Sequence, residues 1–196
     1  MRSALIALAT VLALGSITSG AQADELWALS ALGVGYGTES YQFESDSSRL
    51  DGQMHGLALE LSLVVGWAFV PEDLALGLGV DLTNVDSDLR GDMSVAATQL
   101  AAASLLGAWR PNKTGFSARA GVGWARGRLL GETVDSGPGG DSVDFGGLSG
   151  PVLSAGVAWT WNSLGFGARL AHARLSNDDW DVQLTTVTLS ALFERP

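Results

Sequence analysis

The sequence predicts an all-β fold, an eight-stranded antiparallel up-and-down transmembrane β-barrel. Three observations predict it. Side chains alternate in polarity with a period of two, the alternating segments are longer than ordinary strands, and the fraction of charged residues is lower than the surface of a soluble domain requires. Only 16% of the residues are charged, whereas a soluble domain carries about a quarter. After the N-terminal segment, no continuous apolar run reaches the length of a spanning helix. Lipid is therefore the expected environment of much of the surface.

Residues 1–23 have the composition of a secretory signal peptide. Arg2 supplies a positive charge, the run 4–17 is almost entirely apolar, and positions 21–23 place small residues where a signal peptidase reads them. We expect cleavage after residue 23, which leaves residues 24–196 as a single β-barrel domain. The alternative is an uncleaved membrane anchor, which the short apolar core disfavours.

The clearest alternation lies between positions 57 and 69. One set of side chains is large and apolar and the other is small or polar: Leu57, Leu59, Leu61, Leu63, Val65, Trp67 and Phe69 against Ala58, Glu60, Ser62, Val64, Gly66 and Ala68. A strand places these two sets on opposite faces, whereas a helix would scatter them. Ordinary strands average about five or six residues, but a tilted membrane-crossing strand needs about nine to eleven.

The same alternation recurs along the chain and gives eight strands in all. It is clear in the segments 74–83, 116–125, 153–161, 164–171 and 186–193, while 26–38 and 95–109 are apolar on both faces and leave their registers open. Short links at 70–73, 110–115 and 162–163 alternate with longer polar links near 38–52, 84–94, 127–149 and 175–181. This asymmetry is typical of short periplasmic turns and longer external loops.

Aromatic residues cluster at the predicted strand ends, as the girdles of a membrane barrel do. The girdle expected at the short-turn end comprises Trp27, Trp67, Phe69, Trp109, Phe116, Trp159, Trp161 and Phe193. A soluble lipocalin-like barrel is the rival interpretation, because it too can have eight strands. It would carry the large apolar side chains inside, where the narrow interior of eight strands has room only for small residues and a few polar groups.

Four charged residues fall on the inward face of the predicted strands: Glu60, Asp81, Arg119 and Arg169. Their signs balance, and isolated ions in a narrow lumen are costly, so we expect a charge network that bridges the barrel. Four separately hydrated charges are the alternative. An open solute channel is not expected from eight strands.

Charge and composition also limit the partners and cofactors. The net charge is −10, which disfavours nucleic acid, and the absence of cysteine rules out disulfides and thiolate metal sites. The predicted external segments are acidic, from Glu39 to Asp181, but none has the spacing of a calcium-binding loop, so solvated loops are favoured over divalent-cation sites. No cofactor and no metal site is expected.

The pattern as a whole resembles the small outer-membrane barrels typified by the OmpA membrane domain, OmpX and OmpW. The segment 187–193 is similar to the terminal strand signal that the barrel-assembly machinery reads, although Glu194, Arg195 and Pro196 follow its aromatic residue. The resemblance implies a bacterial outer-membrane location, a plugged interior, contacts with outer-membrane lipid and lipopolysaccharide, insertion by that machinery, and a monomer.

Three functional hypotheses follow. The first is a non-enzymatic integral outer-membrane protein with a structural or surface-interaction role. The second is a narrow OmpW-like pore for small solutes. The third is lipid A deacylation, since barrels of the PagL type have a His and a Ser near the outer leaflet. Here Ser176 follows His172 by four residues instead of two, about 13 Å along an extended strand, which is too far for direct proton transfer.

Overall fold

A computed structural model describes residues 26–45, 48–69, 73–87, 93–111, 115–133 and 142–195. The predicted signal peptide and positions 70–72 of the first predicted short link lie outside these residues. Within the described ranges, no helix is long and apolar enough to cross a bilayer.

Eight antiparallel strands close into one barrel in which every strand pairs with its neighbours in the sequence and the last pairs with the first. The predicted all-β, up-and-down barrel is confirmed. The strands are β1 (Leu26–Ser45), β2 (Ser48–Phe69), β3 (Leu74–Ser87), β4 (Met93–Trp109), β5 (Phe116–Thr133), β6 (Ser142–Trp161), β7 (Leu164–Ser176) and β8 (Trp180–Arg195).

The register of the strands fixes the shape of the barrel. A row of paired residues that starts at Gly37 returns to β1 at Trp27, ten residues away, after passing through Thr186, Ala171, Ser154, Gly121, Leu106, Gly77 and Gly66. A stagger of this size over eight strand spacings tilts the strands by about 40° from the barrel axis. Each residue therefore advances about 2.5 Å along that axis.

The outside of the barrel carries a continuous band of exposed apolar side chains. In β2 the band runs from Trp67 to Leu57, both more than half exposed, and the ten residue steps between them span about 25 Å along the axis. In β3 it runs from Leu74 to Leu82. The opposite faces carry buried Ala, Gly, Ser and a few charged residues, such as Glu60. The height matches the lipid-facing band of a membrane barrel, about 25 Å.

The strands continue past this band, and there the polarity of their two faces reverses. The outward residues form a polar collar, which comprises Gln53, His55, Asn84, Asp86, Gln99, Arg126, Arg128, Arg174, Asp181 and Gln183. The inward residues there and at the top of the band form the upper cluster, a buried group of Met54, Ala58, Val85, Leu100, Ala102, Ala125, Leu129, Leu148, Val152, Ala173, Leu175, Trp180, Val182 and Leu184. This half of the barrel is built like a soluble protein, with apolar side chains inside.

The reversal corrects the expected lengths of the long links. Much of 38–52, 84–94, 127–149 and 175–181 is paired strand, because polar residues that suggest loops are the outward positions of extended hairpins. The residues between β7 and β8 make a tight turn in which the Asn177 side-chain oxygen accepts hydrogen bonds from the backbone N–H groups of Asp179 and Trp180. The acidic residue Glu39, expected in an external loop, is buried inside the barrel.

Aromatic side chains ring the short-turn end of the band. Those of the expected girdle that lie exposed on the outside are Trp67, Trp109, Trp159, Trp161 and Phe193, while Phe116 is half-buried and the side chain of Phe69 lies outside the described part of the chain. The expectation for Trp27 is wrong, since this residue is fully buried in the lumen. Its indole N–H donates to Glu194 inside the barrel, which satisfies the polar atom there.

The predicted short link at 162–163 is a two-residue hairpin turn. Trp161 pairs with Leu164 across it, and both Asn162 and Ser163 have positive φ, 46° and 77°. Such turns match the right-handed twist of the flanking strands, and Asn tolerates this conformation well.

A charge placed in the middle of the apolar band tests whether the band faces hydrocarbon. Leu32 is 67% exposed, so in water its replacement by arginine would cost almost nothing. In lipid vesicles we expect Leu32→Arg to lower the free energy of unfolding by about 2–4 kcal/mol, measured by urea titration. Gln53→Arg, in the polar collar, should stay within about 0.5 kcal/mol. Equal, small effects of both substitutions would contradict a lipid-facing band.

Candidate functional site

The lumen holds a group of polar side chains at mid-height that we call the central ion cluster: Glu60, Ser62, Asp81, Arg169 and Thr188. The Arg169 guanidinium donates to both carboxyl oxygens of Asp81, at 2.9 and 2.8 Å, and also to Glu60. Thr188 donates to the other oxygen of Glu60 at 2.9 Å. Because β2, β3, β7 and β8 supply these groups, the cluster ties together strands that lie far apart in the sequence.

Ser62 completes the central ion cluster. Its hydroxyl lies between the two carboxylates, 3.0 Å from Glu60 and in close contact with Asp81, and accepts a hydrogen bond from Arg169 at 3.0 Å. Two carboxylates share one guanidinium, so the cluster carries a formal charge of −1. Multiple hydrogen bonds to each ion offset the cost of taking it out of water.

A second group, the lower ion cluster, lies at the short-turn end of the lumen. Glu194 is its centre: one oxygen accepts from Trp27 at 2.8 Å and lies 3.6 Å from Arg110, and the other accepts from Arg119 at 2.9 Å. Two arginines share one carboxylate here, so the formal charge is +1. It is equal and opposite to that of the central ion cluster.

The structure therefore brings together three of the four charged residues expected to form one network. Glu60, Asp81 and Arg169 meet, whereas Arg119 belongs to the lower ion cluster and pairs with Glu194. A cavity of about 50 Å³ separates the two groups, and its lining includes Glu60, Asp81, Arg119 and Arg169. A volume of this size has room for a few water molecules and for nothing larger.

Several of these residues are absent from the sequence prediction. In the sequence Glu194 follows the terminal aromatic residue, but it is in phase with the inward positions Thr188, Ser190 and Leu192 of β8. The alternation extended by one residue therefore predicts an inward Glu194. Arg110 lies in a predicted short link, and Trp27 lies in a strand whose two faces are both apolar in the sequence.

A third buried polar contact lies above the apolar band, inside the collar. Glu39 is 2% exposed and accepts a hydrogen bond from the Thr98 hydroxyl at 2.6 Å. Its pairing partners on either side are Met54 and Leu184 of the upper cluster. Its second carboxyl oxygen has no hydrogen-bond partner among the described residues. Burial raises the pKa of the Glu39 carboxyl above its ordinary value of 4.5, although the Thr98 hydrogen bond lowers it.

The residues of the deacylase hypothesis do not assemble. His172 points outward at the upper edge of the band, where its Nδ1 lies 2.9 Å from the Thr185 hydroxyl. Ser176 is the last residue of the same strand, about 13 Å further on if the strand is extended. No turn of the chain brings the two together, so His172 cannot take a proton from Ser176 directly.

Removing the arginine of the central ion cluster would leave two carboxylates buried without their cation. We expect Arg169→Met to lower the free energy of unfolding by about 3–5 kcal/mol, measured by urea titration of the reconstituted protein. Adding Glu60→Gln and Asp81→Asn to this variant should recover most of the loss, since no charge then remains. A change below about 0.5 kcal/mol for Arg169→Met would contradict a structural role of the cluster.

The buried carboxyl of Glu39 should make stability depend on pH. Below pH 4.5 the group is protonated in the folded and the unfolded chain alike. As the pH rises, the unfolded chain ionises first, so wild-type stability falls until the pH passes the raised pKa of the folded state. Glu39→Gln removes this loss. We expect its advantage over wild type to grow with pH and then level off, measured by urea titration from about pH 4 to about pH 8. A pH-independent difference would contradict this assignment.

Comparison with known proteins places the fold. No family model matches the sequence, and no curated protein matches it. Among solved structures, Neisserial surface protein A is similar with a TM-score of 0.59 and 13% identity, over 85% of this chain and 96% of that one. The outer membrane protease OmpT from Escherichia coli has a TM-score of 0.50 and 10% identity, over 88% and 97%. Ail, the attachment invasion locus protein of Yersinia pestis, has a TM-score of 0.47 and 14% identity, over 85% and 99%. With its eight closed strands, this chain has the fold of the outer-membrane β-barrel proteins.

Proposed function

We propose that this protein is a non-enzymatic integral protein of the bacterial outer membrane and that its barrel is the anchor. The end at which the strands continue past the apolar band, the extended end, lies at the cell surface. The observation that carries the proposal is the apolar band, about 25 Å tall, which ends at a collar of polar residues on six of the eight strands. A band of exposed leucine, valine and tryptophan has no stable place in water.

We base the proposed orientation on how far the strands extend beyond the apolar band at each end of the barrel. At the aromatic end the strands stop near the edge of the apolar band and both ends of the described chain lie there, whereas at the other end the hairpins continue past the band, which is the arrangement of periplasmic turns and longer external segments. The polar collar then lies at the headgroups of the outer leaflet, and the ends of the hairpins project beyond it. We propose that residues 1–23 direct export and are cleaved, that the barrel-assembly machinery inserts the chain, and that the inserted protein is a monomer.

The filled lumen favours an anchor over a pore. The two ion clusters occupy its lower and middle parts, and the upper cluster fills the rest with side chains as large as Trp180 and Met54. Eight strands leave little additional room. For an OmpW-like solute path to open, the lower ion cluster, the central ion cluster and the upper cluster would all have to move.

The fold alone does not decide whether the protein is an enzyme, because one fold can carry unrelated functions. The name of OmpT describes a protease, whereas that of Neisserial surface protein A describes only a location. The non-enzymatic proposal rests on the separation of His172 from Ser176 and on the engagement of the Glu60 and Asp81 carboxylates by Arg169.

Fractionation of expressing cells tests the location, and planar-bilayer recording tests the closed lumen. We expect the protein in the outer-membrane fraction, with gel migration that changes on boiling because a folded barrel resists detergent. We expect no steady conductance from the purified protein. Recovery in the soluble periplasm without a heat-dependent shift would overturn the membrane assignment. Steady open channels would instead support the pore.

A further inference from the structure

Among the described side chains, exposed positive charge is concentrated at one place on the barrel. The chain has 11 basic and 21 acidic residues, and three of the basic ones, Arg110, Arg119 and Arg169, are enclosed in the lumen. Among the side chains that the structure describes, the exposed cations are Arg126, Arg128 and Arg174. All three belong to the polar collar on β5 and β7. These three positive charges therefore lie close together on a protein in which acidic residues outnumber basic ones.

The three arginines flank a shallow channel whose floor is β6. Arg126 pairs with Ser149 and Arg128 with Gly147, so small side chains separate β5 from β7. A Cβ added at Gly147 would meet nothing within 4 Å, which shows that the space above it is open. The strand tilt brings Arg174 on β7 to about the height of Arg126, with one strand between them, about 10 Å across the sheet.

The three arginines differ in whether a carboxylate already pairs with them. Arg174 is already paired with Asp181, at 2.7 Å, and Asp178 and Asp179 lie exposed in the turn beyond it. No carboxylate of the described residues pairs with Arg126 or Arg128, on the β5 side of the channel. The guanidinium groups of Arg126 and Arg128 therefore give the β5 side of the channel a net positive charge.

The channel is continuous with the apolar band beneath it. Trp124 lies two residues below Arg126 on the same face and is 58% exposed, and Leu153 of the neighbouring strand is also 58% exposed. A molecule that occupies both regions must have an anionic head at the collar and an apolar body along the band. Guanidinium groups match phosphate oxygens in geometry as well as in charge.

We propose that Arg126 and Arg128 form a binding site for the phosphate-bearing headgroup of a membrane lipid in the leaflet at the extended end, with its acyl chains against Trp124 and Leu153. This inference rests on the proposed membrane location, which sets the collar at headgroup height. It adds a specific lipid contact on one side of the barrel.

The test uses protein purified from membranes and kept folded in non-ionic detergent, titrated with phosphatidylglycerol or phosphatidylcholine and followed by native mass spectrometry. We expect tighter binding of phosphatidylglycerol, because choline places a cation next to the arginines. Arg126→Gln with Arg128→Gln should weaken it about 25-fold, since each arginine near an anionic headgroup contributes about a factor of five. Affinity for phosphatidylcholine should change little.

A matched control removes the same net charge from the opposite side of the barrel. Gln53 and His55 are exposed on β2, the strand opposite β6, so Gln53→Glu with His55→Glu also changes the net charge by −2, with His counted as neutral, and leaves the channel intact. We expect wild-type affinity for phosphatidylglycerol in this variant. An equal loss in both double variants would mean that overall charge attracts the lipid, and it would overturn the site.

Two further outcomes distinguish the source of the phosphate. Inorganic phosphate should displace phosphatidylglycerol no better than chloride at equal ionic strength. Stronger displacement by phosphate would identify a free-phosphate site and overturn the assignment to lipid. Equal affinity of wild type and the arginine double variant would also overturn the proposal. Because binding is measured on folded protein in detergent, either result leaves the cell-fractionation test of location separate.

Discussion

Closure of the sheet is the constraint on which the rest of this structure depends. A closed barrel pairs every strand on both sides, so no edge is left with unsatisfied backbone groups, and only such a barrel or a helix is stable in hydrocarbon. The ten-residue stagger sets the tilt, the tilt sets the rise per residue, and eight tilted strands leave a lumen just wide enough for side chains. The height of the apolar band and the filling of the interior both follow from this geometry.

Within that lumen, charge is balanced between layers and not within each one. The central ion cluster has an excess carboxylate and the lower ion cluster an excess arginine. Glu60, Asp81, Arg169 and Glu194 are each held by several partners from different strands. A buried pair of this kind contributes less to stability than its contacts suggest, because desolvation opposes the attraction. Its larger effect is on register, since a shift by one residue would turn Glu60 or Arg169 toward lipid.

The parts of the molecule that sequence can predict are those where a single strand carries the information. The alternation in β2 and β3 predicts both faces correctly, because bulky apolar residues fit only outside a narrow barrel. Trp27 could not be placed this way: its inward position depends on Glu194, 167 residues later in the chain. The separation of Arg119 from Arg169 also depends on stagger between distant strands. The upper halves of the hairpins did carry a signal, since Met54, Val85 and Leu129 alternate with polar residues, but in the opposite sense to the band.

The reversal of polarity along each strand also has a kinetic consequence. In the proposed orientation, the collar residues would have to cross the full thickness of hydrocarbon to reach their final position. They carry the charges of Asp86, Arg126, Arg128, Arg174 and Asp181. An arginine at the centre of the bilayer costs about 2–4 kcal/mol, and several must pass in either direction. Spontaneous entry is therefore slow, and so is escape. In the proposed location, the same residues that oppose entry would therefore also oppose escape and keep the inserted protein in one orientation.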